Sequence, residues 1–150
     1  MCEKTRIMFD SNIFDKLGDN IHLLAKRDDI DFCVTSLQIE EILSIPDKKR
    51  DVRLSTGMAL CELRPKIVPT PFTFDYINFR HFTFASEPNY WKLLKESRSN
   101  RNDALIAATA IRENCFLITD DTNLLKRMKK ISAMAMTYSE FYSKFLQPNQ

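Results

Sequence analysis

Carboxylates are the side chains in this sequence whose types and spacing suit chemistry. Asp10 ends the short apolar run RIMF, and Asp120 and Asp121 end the run CFLIT. Asp103 stands in the opening turn of NDALIAATAIRE, and Glu40 and Glu41 stand side by side in SLQIEEILSI. Carboxylates gathered at one place repel each other and take up protons unless a cation lies among them. Hard oxygen donors of this kind suit Mg²⁺ or Mn²⁺, and Mg²⁺ keeps several waters in its coordination shell. One such water, deprotonated, is a nucleophile, and the ion offsets charge on a transition state. Each acid also has an ordinary structural use. Asp10, Asp120 or Asp121 can cap a following helix, and Asp103 suits the positive end of its own. Neighbouring helix positions point about 100° apart, so at most one of Glu40 and Glu41 faces a shared site. Caps explain single acids; they do not require four acids within one set of α/β units.

The elements that must position these acids read as alternating strands and helices. Arg6–Phe9 is a buried strand. Ser11–Lys26 carries Ile13, Phe14, Leu17, Ile21 and Leu24 at helical spacing, with Gly18 dividing it into two short helices. Phe32–Thr35 is a second strand, and Ser36–Ile45 is a helix stopped by Pro46. Lys48–Leu63 is a basic amphipathic helix, and Lys66–Val68 is a third strand between Pro65 and Pro69. Mixed aromatic and polar residues over 69–85 predict irregular extended chain, and Glu87–Ser97 predicts a helix with Pro88 in its first turn. Asn102–Glu113 is an Ala-rich helix with Asn114 as its left-handed stop. Cys115–Thr119 is the near-continuous apolar strand of a sheet covered on both faces. Asp121–Lys129 is a short helix, Ala133–Met136 a last strand and Tyr138–Leu146 a terminal helix. The alternation predicts one three-layer α/β/α domain over residues 1–150, with a central, mostly parallel sheet and a frayed tail at Gln147–Gln150. Ligands of such sheets sit outside the carboxyl ends of the strands, where Asp10, Asp120 and Asp121 fall.

Four segments, IMFDSNIF, VTSLQIEEIL, NDALIAATA and LITDDTNLL, carry a family resemblance in their order and spacing. Through them nearly the whole chain resembles the PIN-domain nucleases, especially the small ribonuclease toxins of bacterial and archaeal toxin–antitoxin pairs. The resemblance implies a PIN-like fold and an Mg²⁺- or Mn²⁺-dependent endoribonuclease. It implies Asp10, Glu41, Asp103 and Asp121 as the catalytic and metal-holding acids, choosing Glu41 over Glu40 and Asp121 over Asp120. In that reading Asp10, Asp103 and Asp121 hold the main metal and Glu41 completes the cluster. Asp120 is an auxiliary ligand, and Asn12 and Thr119 orient the carboxylates by hydrogen bonds. The resemblance further implies an RNA substrate, an antitoxin protein as partner and a homodimer. Two other readings stay open: a PIN-like nuclease of RNA processing or DNA metabolism, and a catalytically silent PIN-like scaffold.

The composition closes off other classes. Net charge is only +2 and the isoelectric point about 8.3, so any basic surface must be local. Two glycines and no G-x-x-x-x-G-K-[ST] pattern leave a phosphate-cradling loop unsupported. No apolar stretch approaches membrane-spanning length, and MCEKTRIMFDSN lacks the apolar segment of a signal peptide. A cytoplasmic protein without a membrane partner is therefore expected. Cys2, Cys33, Cys61 and Cys115 are scattered without zinc spacing and read as reduced thiols, and the isolated His22 and His81 as surface or packing residues. A phosphoacceptor domain is discounted, because CFLITDD carries acids where that chemistry wants a late-strand lysine. Two stretches keep several readings. The rings of Phe72–Trp91 either cover the core or a dimer interface, stack RNA bases near Arg80 and Arg98, or receive an antitoxin peptide. Lys48, Lys49, Arg50 and Arg53 form either a solvated face or a phosphate-binding rim.

Overall fold

Parallel strands need long crossovers, usually through a helix, and the spacing of apolar runs in this chain supplies them. The computed structural model describes residues 3–71, 82–83, 89, 92–93 and 101–147. Its strands are β1 (Thr5–Phe9), β2 (Ile30–Thr35), β3 (Lys66–Val68), β4 (Thr70–Pro71), β5 (Phe82–Thr83), β6 (Phe116–Ile118) and β7 (Ala135–Met136). Its helices are α1 (Phe14–Leu17), α2 (Asn20–Ala25), α3 (Ser36–Leu43), α4 (Arg50–Leu63), α5 (Arg101–Arg112), α6 (Thr122–Ile131) and α7 (Tyr138–Phe141). Five strands form one parallel sheet in the order β3-β2-β1-β6-β7, and β4 pairs with β5 in a small separate sheet.

The order places β1 at the centre. The chain runs outward from β1 through β2 to β3, then returns to lay β6 on the other side of β1. That reversal is the switch point of an open α/β sheet, where a crevice opens beyond the carboxyl ends of the two strands. Alternation along β1 feeds both layers: Ile7 and Phe9 face one core and Met8 the other, all at most 1% exposed. The Phe9 side is closed by α1, α2, α4 and α7, through Phe14, Leu24, Leu63 and Phe141. The Met8 side is closed by α5 and α6, through Leu105, Ala108, Leu124 and Met128. Phe9 anchors its layer with ring centroids 5.8, 5.6 and 5.2 Å from Phe14, Phe32 and Phe141. Each such pair adds about 0.5–1.5 kcal/mol to simple burial.

The architecture is the three-layer α/β/α arrangement that the alternation predicts, with local differences. Gly18, at φ +47, separates α1 from α2, a conformation glycine adopts without a Cβ clash. The basic helix starts at Arg50, because Pro46 leads into a 3₁₀ turn over Asp47–Lys49. Asp121 lies outside α6 as its cap, and the terminal helix widens into a π-helix over Tyr142–Leu146. Asn114 adopts the left-handed conformation expected of it, and so does Arg64, which the pattern does not foretell. Within the expected extended stretch 69–85 lie β4 and β5. The rings of Phe72–Trp91, and His81, Arg80 and Arg98, fall outside what is described; of Phe82 only the backbone is. Of the expected helix Glu87–Ser97, the helical residues Asn89, Lys92 and Leu93 are described. Among the described residues no helix is long and apolar enough to cross a membrane.

Candidate active site

The carboxylates meet at the switch point. Asp10 follows β1 directly, and its amide donates to the carbonyl of Ile118 at 2.9 Å, which fixes it against the end of β6. Its side chain is 5% exposed. Asp10 does not use its carboxylate as a helix cap; Oδ2 accepts from the hydroxyl of Thr119 at 2.8 Å. Thr119, fully buried, accepts in turn from the amide of Asp121 at 3.1 Å. One hydroxyl therefore ties together the two acid-bearing strand ends. Burial is the chief force raising the Asp10 carboxyl above its usual range, with the charge of Asp121 adding to it and the Thr119 and Ser11 hydrogen bonds opposing it.

Glu41 reaches the same crevice from α3. That helix opens with a capping box, in which Thr35 accepts from the amide of Gln38 and Gln38 Oε1 accepts from the amide of Thr35. The buried Gln38 also donates to the carbonyl of Phe9 at 2.6 Å, clamping α3 to the end of β1. Glu41 lies one turn further on, on the same helix face. Its Oε2 accepts from the Ser11 hydroxyl at 2.8 Å, and its Oε1 from the Asn102 amide at 3.3 Å. Glu40 is exposed.

Asp103 and Asp121 complete the set. Asp103 lies in the first turn of α5, part-buried, and its carboxyl is pushed up to about 6. Burial is the largest cause, followed by the negative charges of Asp10, Glu41 and Asp121; Arg127 pulls the other way. The three other acids thus add to the effect of burial on Asp103. Asp121 caps α6, with Oδ1 accepting from the amides of Asn123 at 2.8 Å and Leu124 at 3.0 Å. Capping uses one oxygen, and Oδ2 accepts no hydrogen bond among the described residues. The structural and chemical uses of Asp121 are thus compatible. Asp10, Glu41 and Asp103 line a cleft of about 460 Å³ with Ser11, Asn12 and Lys49.

Asp120 is the acid that the fold does not bring in. Its Oδ2 accepts from Lys16 at 2.6 Å and its Oδ1 from the amide of Tyr138 at 2.9 Å. Burial alone would raise its carboxyl; the Lys16 and Tyr138 hydrogen bonds outweigh that and hold it below the usual range. Both oxygens thus have partners on α1 and α7, and Asp120 is not among the residues lining the cleft with Asp10, Glu41 and Asp103. Asn12 lines the cleft but is exposed, and the hydrogen bonds to the acids there come from Ser11 instead. Three contributors escape a reading by motif. Ser11 and Asn102 both grip Glu41, and each sits beside an acid that draws the eye. Arg127 is 5% exposed, and both of its Nη atoms are buried without a hydrogen-bond partner among the described residues. Its signal in the sequence is an arginine sharing an otherwise apolar helix face with Leu124 and Met128. Of the basic residues, Lys49 lines the cleft, while Arg53 is held by Asp47 and the carbonyl of Ile45. His22 is exposed beside Glu62.

The donor set is all oxygen and mutually repelling, the chemistry that a hard divalent cation relieves. Among the described residues no group of three acidic, histidine or cysteine side chains is arranged to hold a metal ion. Mg²⁺ does not require one, since it binds through one or two carboxylates and completes its shell with water. The residues present fit such an ion.

Comparison with known proteins bears on the fold and the family. The model of the PIN domain family matches residues 7–131. Similar solved structures include PAE2754 from Pyrobaculum aerophilum, with TM-score 0.58, 15% identity, and coverage of 93% of this chain and 88% of that one. VapBC2 from Rickettsia felis, solved bound to a DNA fragment from its promoter, gives TM-score 0.55 and 22% identity, over 89% of this chain and 98% of that one. A PilT N-terminus domain protein from Sulfolobus solfataricus gives TM-score 0.52 and 14% identity, over 97% and 98%. Identities this low speak for the fold alone. A comparison with curated proteins finds no match.

Proposed function

We propose, from the premise that the chain belongs to the PIN-domain family of nucleases, that it is an endoribonuclease dependent on Mg²⁺ or Mn²⁺. The observation that supports this reading is geometric: Asp10, Glu41 and Asp103 line one cleft, and the Thr119 hydroxyl joins Asp10 to the amide of Asp121. Asp10, Asp103 and Asp121 would hold the cation, with Glu41 completing the set. A bound divalent ion supplies charge compensation for the phosphodiester and lowers the pKa of a coordinated water. The chain's own residues do the positioning. Thr119 orients Asp10 and fixes the amide of Asp121, and Ser11 and Asn102 orient Glu41. Lys49, at the cleft wall, attracts an RNA phosphate. The test is cleavage of mixed RNAs with and without divalent ion. Asp10→Asn keeps an acceptor for Thr119 and is expected to fold normally while losing divalent-dependent cleavage. Full activity in that variant removes Asp10 from the mechanism.

A toxin restrained by an antitoxin protein is the biological setting we propose. An apolar groove favours a protein partner: it runs between α1, α2 and α4, is lined by Phe14, Ile21, Met58 and Ala59, and has Met58 72% exposed. A short open reading frame beside the gene, whose product forms a complex with the protein and stops cleavage, is the expected finding. A product that binds without inhibiting contradicts the toxin reading and leaves the nuclease reading standing.

A further inference from the structure

The pole of the sheet opposite the carboxylates holds a second cavity. It measures about 550 Å³ and is lined from the amino-terminal parts of β1, β2 and β3. A five-residue strand spans about 17 Å, so this cavity is remote from the acid cleft. Its surface is mostly polar, and the buried Leu24, Ile30, Phe32 and Leu63 lie behind it with little of their own surface open to the cavity. Its rim is cationic, made by Arg6, Arg27, Arg64 and Lys66.

Two acids share the lining, and both are engaged. Asp31 lies 3.4 Å from Lys4, and Glu113 pairs with Arg6 and Arg112. Arg27 is held by Asp29 and the carbonyl of Phe145. Arg64 and Lys66 are exposed and make no ion pair or side-chain hydrogen bond among the described residues. Arg64 carries a second, independent peculiarity. It follows α4 at φ 47 and ψ 54, the left-handed position that glycine or asparagine fills with less strain. The charge of an arginine there favours the negative end of the helix, and glycine would relieve the backbone strain. The arginine also puts a guanidinium at the mouth of the cavity.

Unpaired cations at the edge of a mostly polar cavity form a lining that suits a phosphate. We propose that this cavity is a nucleotide-phosphate site, with Arg64 and Lys66 as the phosphate-binding pair. The phosphate comes from a free mononucleotide or from the phosphorylated end of an RNA strand.

Calorimetric titration tests this in EDTA, which removes metal-mediated binding at the acid cleft. The probes are AMP, inorganic phosphate, a 5′-phosphorylated tetraribonucleotide and its 5′-hydroxyl twin. The protein is compared with the double variant R64G/K66Q. Glycine suits the left-handed position, so the variant is expected to melt no lower than the parent, and lost binding then reports on charge. AMP binding at one site, weakened at least about tenfold in the variant, supports the site with a free nucleotide as its ligand. Binding of the phosphorylated tetranucleotide alone, with the same loss, supports the strand end. The proposal is overturned if no phosphate probe binds, if the variant binds as well as the parent, or if the hydroxyl twin matches its phosphorylated partner. None of these outcomes depends on nuclease activity.

Discussion

Replacing Asp103 by asparagine should make the metal-free protein more stable, although it removes a residue assigned to the active site. The Asp103 carboxyl is pushed up to about 6 from an ordinary 3.8, by burial first and then by Asp10, Glu41 and Asp121. A difference of about two pH units corresponds to a ceiling of about 3 kcal/mol of strain in the charged form. Asp103 is only part-buried, so solvent screening trims that figure, and a negative charge in the first turn of α5 returns about 0.3–1 kcal/mol. The net gain for Asp103→Asn is about 1–2 kcal/mol, or about 3–6 °C in Tm for a chain of this size. The sign follows from proton binding. Between pH 3.8 and about 6 the native protein holds the proton that the unfolded chain has released, so parent stability falls as pH rises through this window. The gap between variant and parent should therefore be near zero around pH 4, open up to about pH 6, and stay constant above. Thermal unfolding in EDTA across this range measures it. Added Mg²⁺ or Mn²⁺ should then reverse the order, because a ligand at about 100 times its Kd stabilises the form that binds it by about 2.7 kcal/mol. A variant less stable than the parent at pH 7.5 in EDTA, or a gap indifferent to pH, refutes this account of Asp103.

Two further variants separate orientation from structure. Thr119→Val removes the hydroxyl that joins Asp10 to the amide of Asp121. Divalent affinity, read by titration with Mn²⁺, should fall about 10–100-fold, with a stability loss of about 1–2 kcal/mol. Asp120→Ala breaks the links to Lys16 and to the amide of Tyr138 and should leave divalent-dependent cleavage intact. Its stability loss, about 1 kcal/mol or less, should be present at neutral pH. It should vanish as pH falls through the depressed value of Asp120, which acid titration of the melting temperature would show.

The sheet was legible because its strands are short apolar runs closed by turn or acid residues, and because β1 and β6 are buried on both faces. The general position of the acids followed from the same runs, since Asp10 and Asp121 fall just past the strand ends. The choice of Glu41 over Glu40 needed the family resemblance, and the clamp that explains it lies three residues earlier, in Gln38. Periodicity places a glutamine on a helix face; it does not reveal that the side chain will reach a carbonyl 29 residues back. The same limit explains Asn12 and Asp120. Both were read by their neighbourhood in the chain, while hydrogen-bond reach is settled by where each side chain points. The left-handed Arg64 was illegible for a different reason, since nothing in its flanking residues demands an arginine at a helix end.

The link between Asp10 and Thr119 spans 109 residues of chain, and this separates the making of the protein from the making of its active site. Asp10, Ser11 and Glu41 leave the ribosome early. At about 5–20 residues per second, roughly 5–20 s pass before the strand that completes their crevice is synthesised. Until β6 arrives, one edge of β1 has no partner, and the acids of the first third of the chain have no counterpart to share a field with. The site can form only by a non-local pairing of the slow kind. That connectivity acts as a timer: the four acids can be brought together only after nearly all of the chain has been translated.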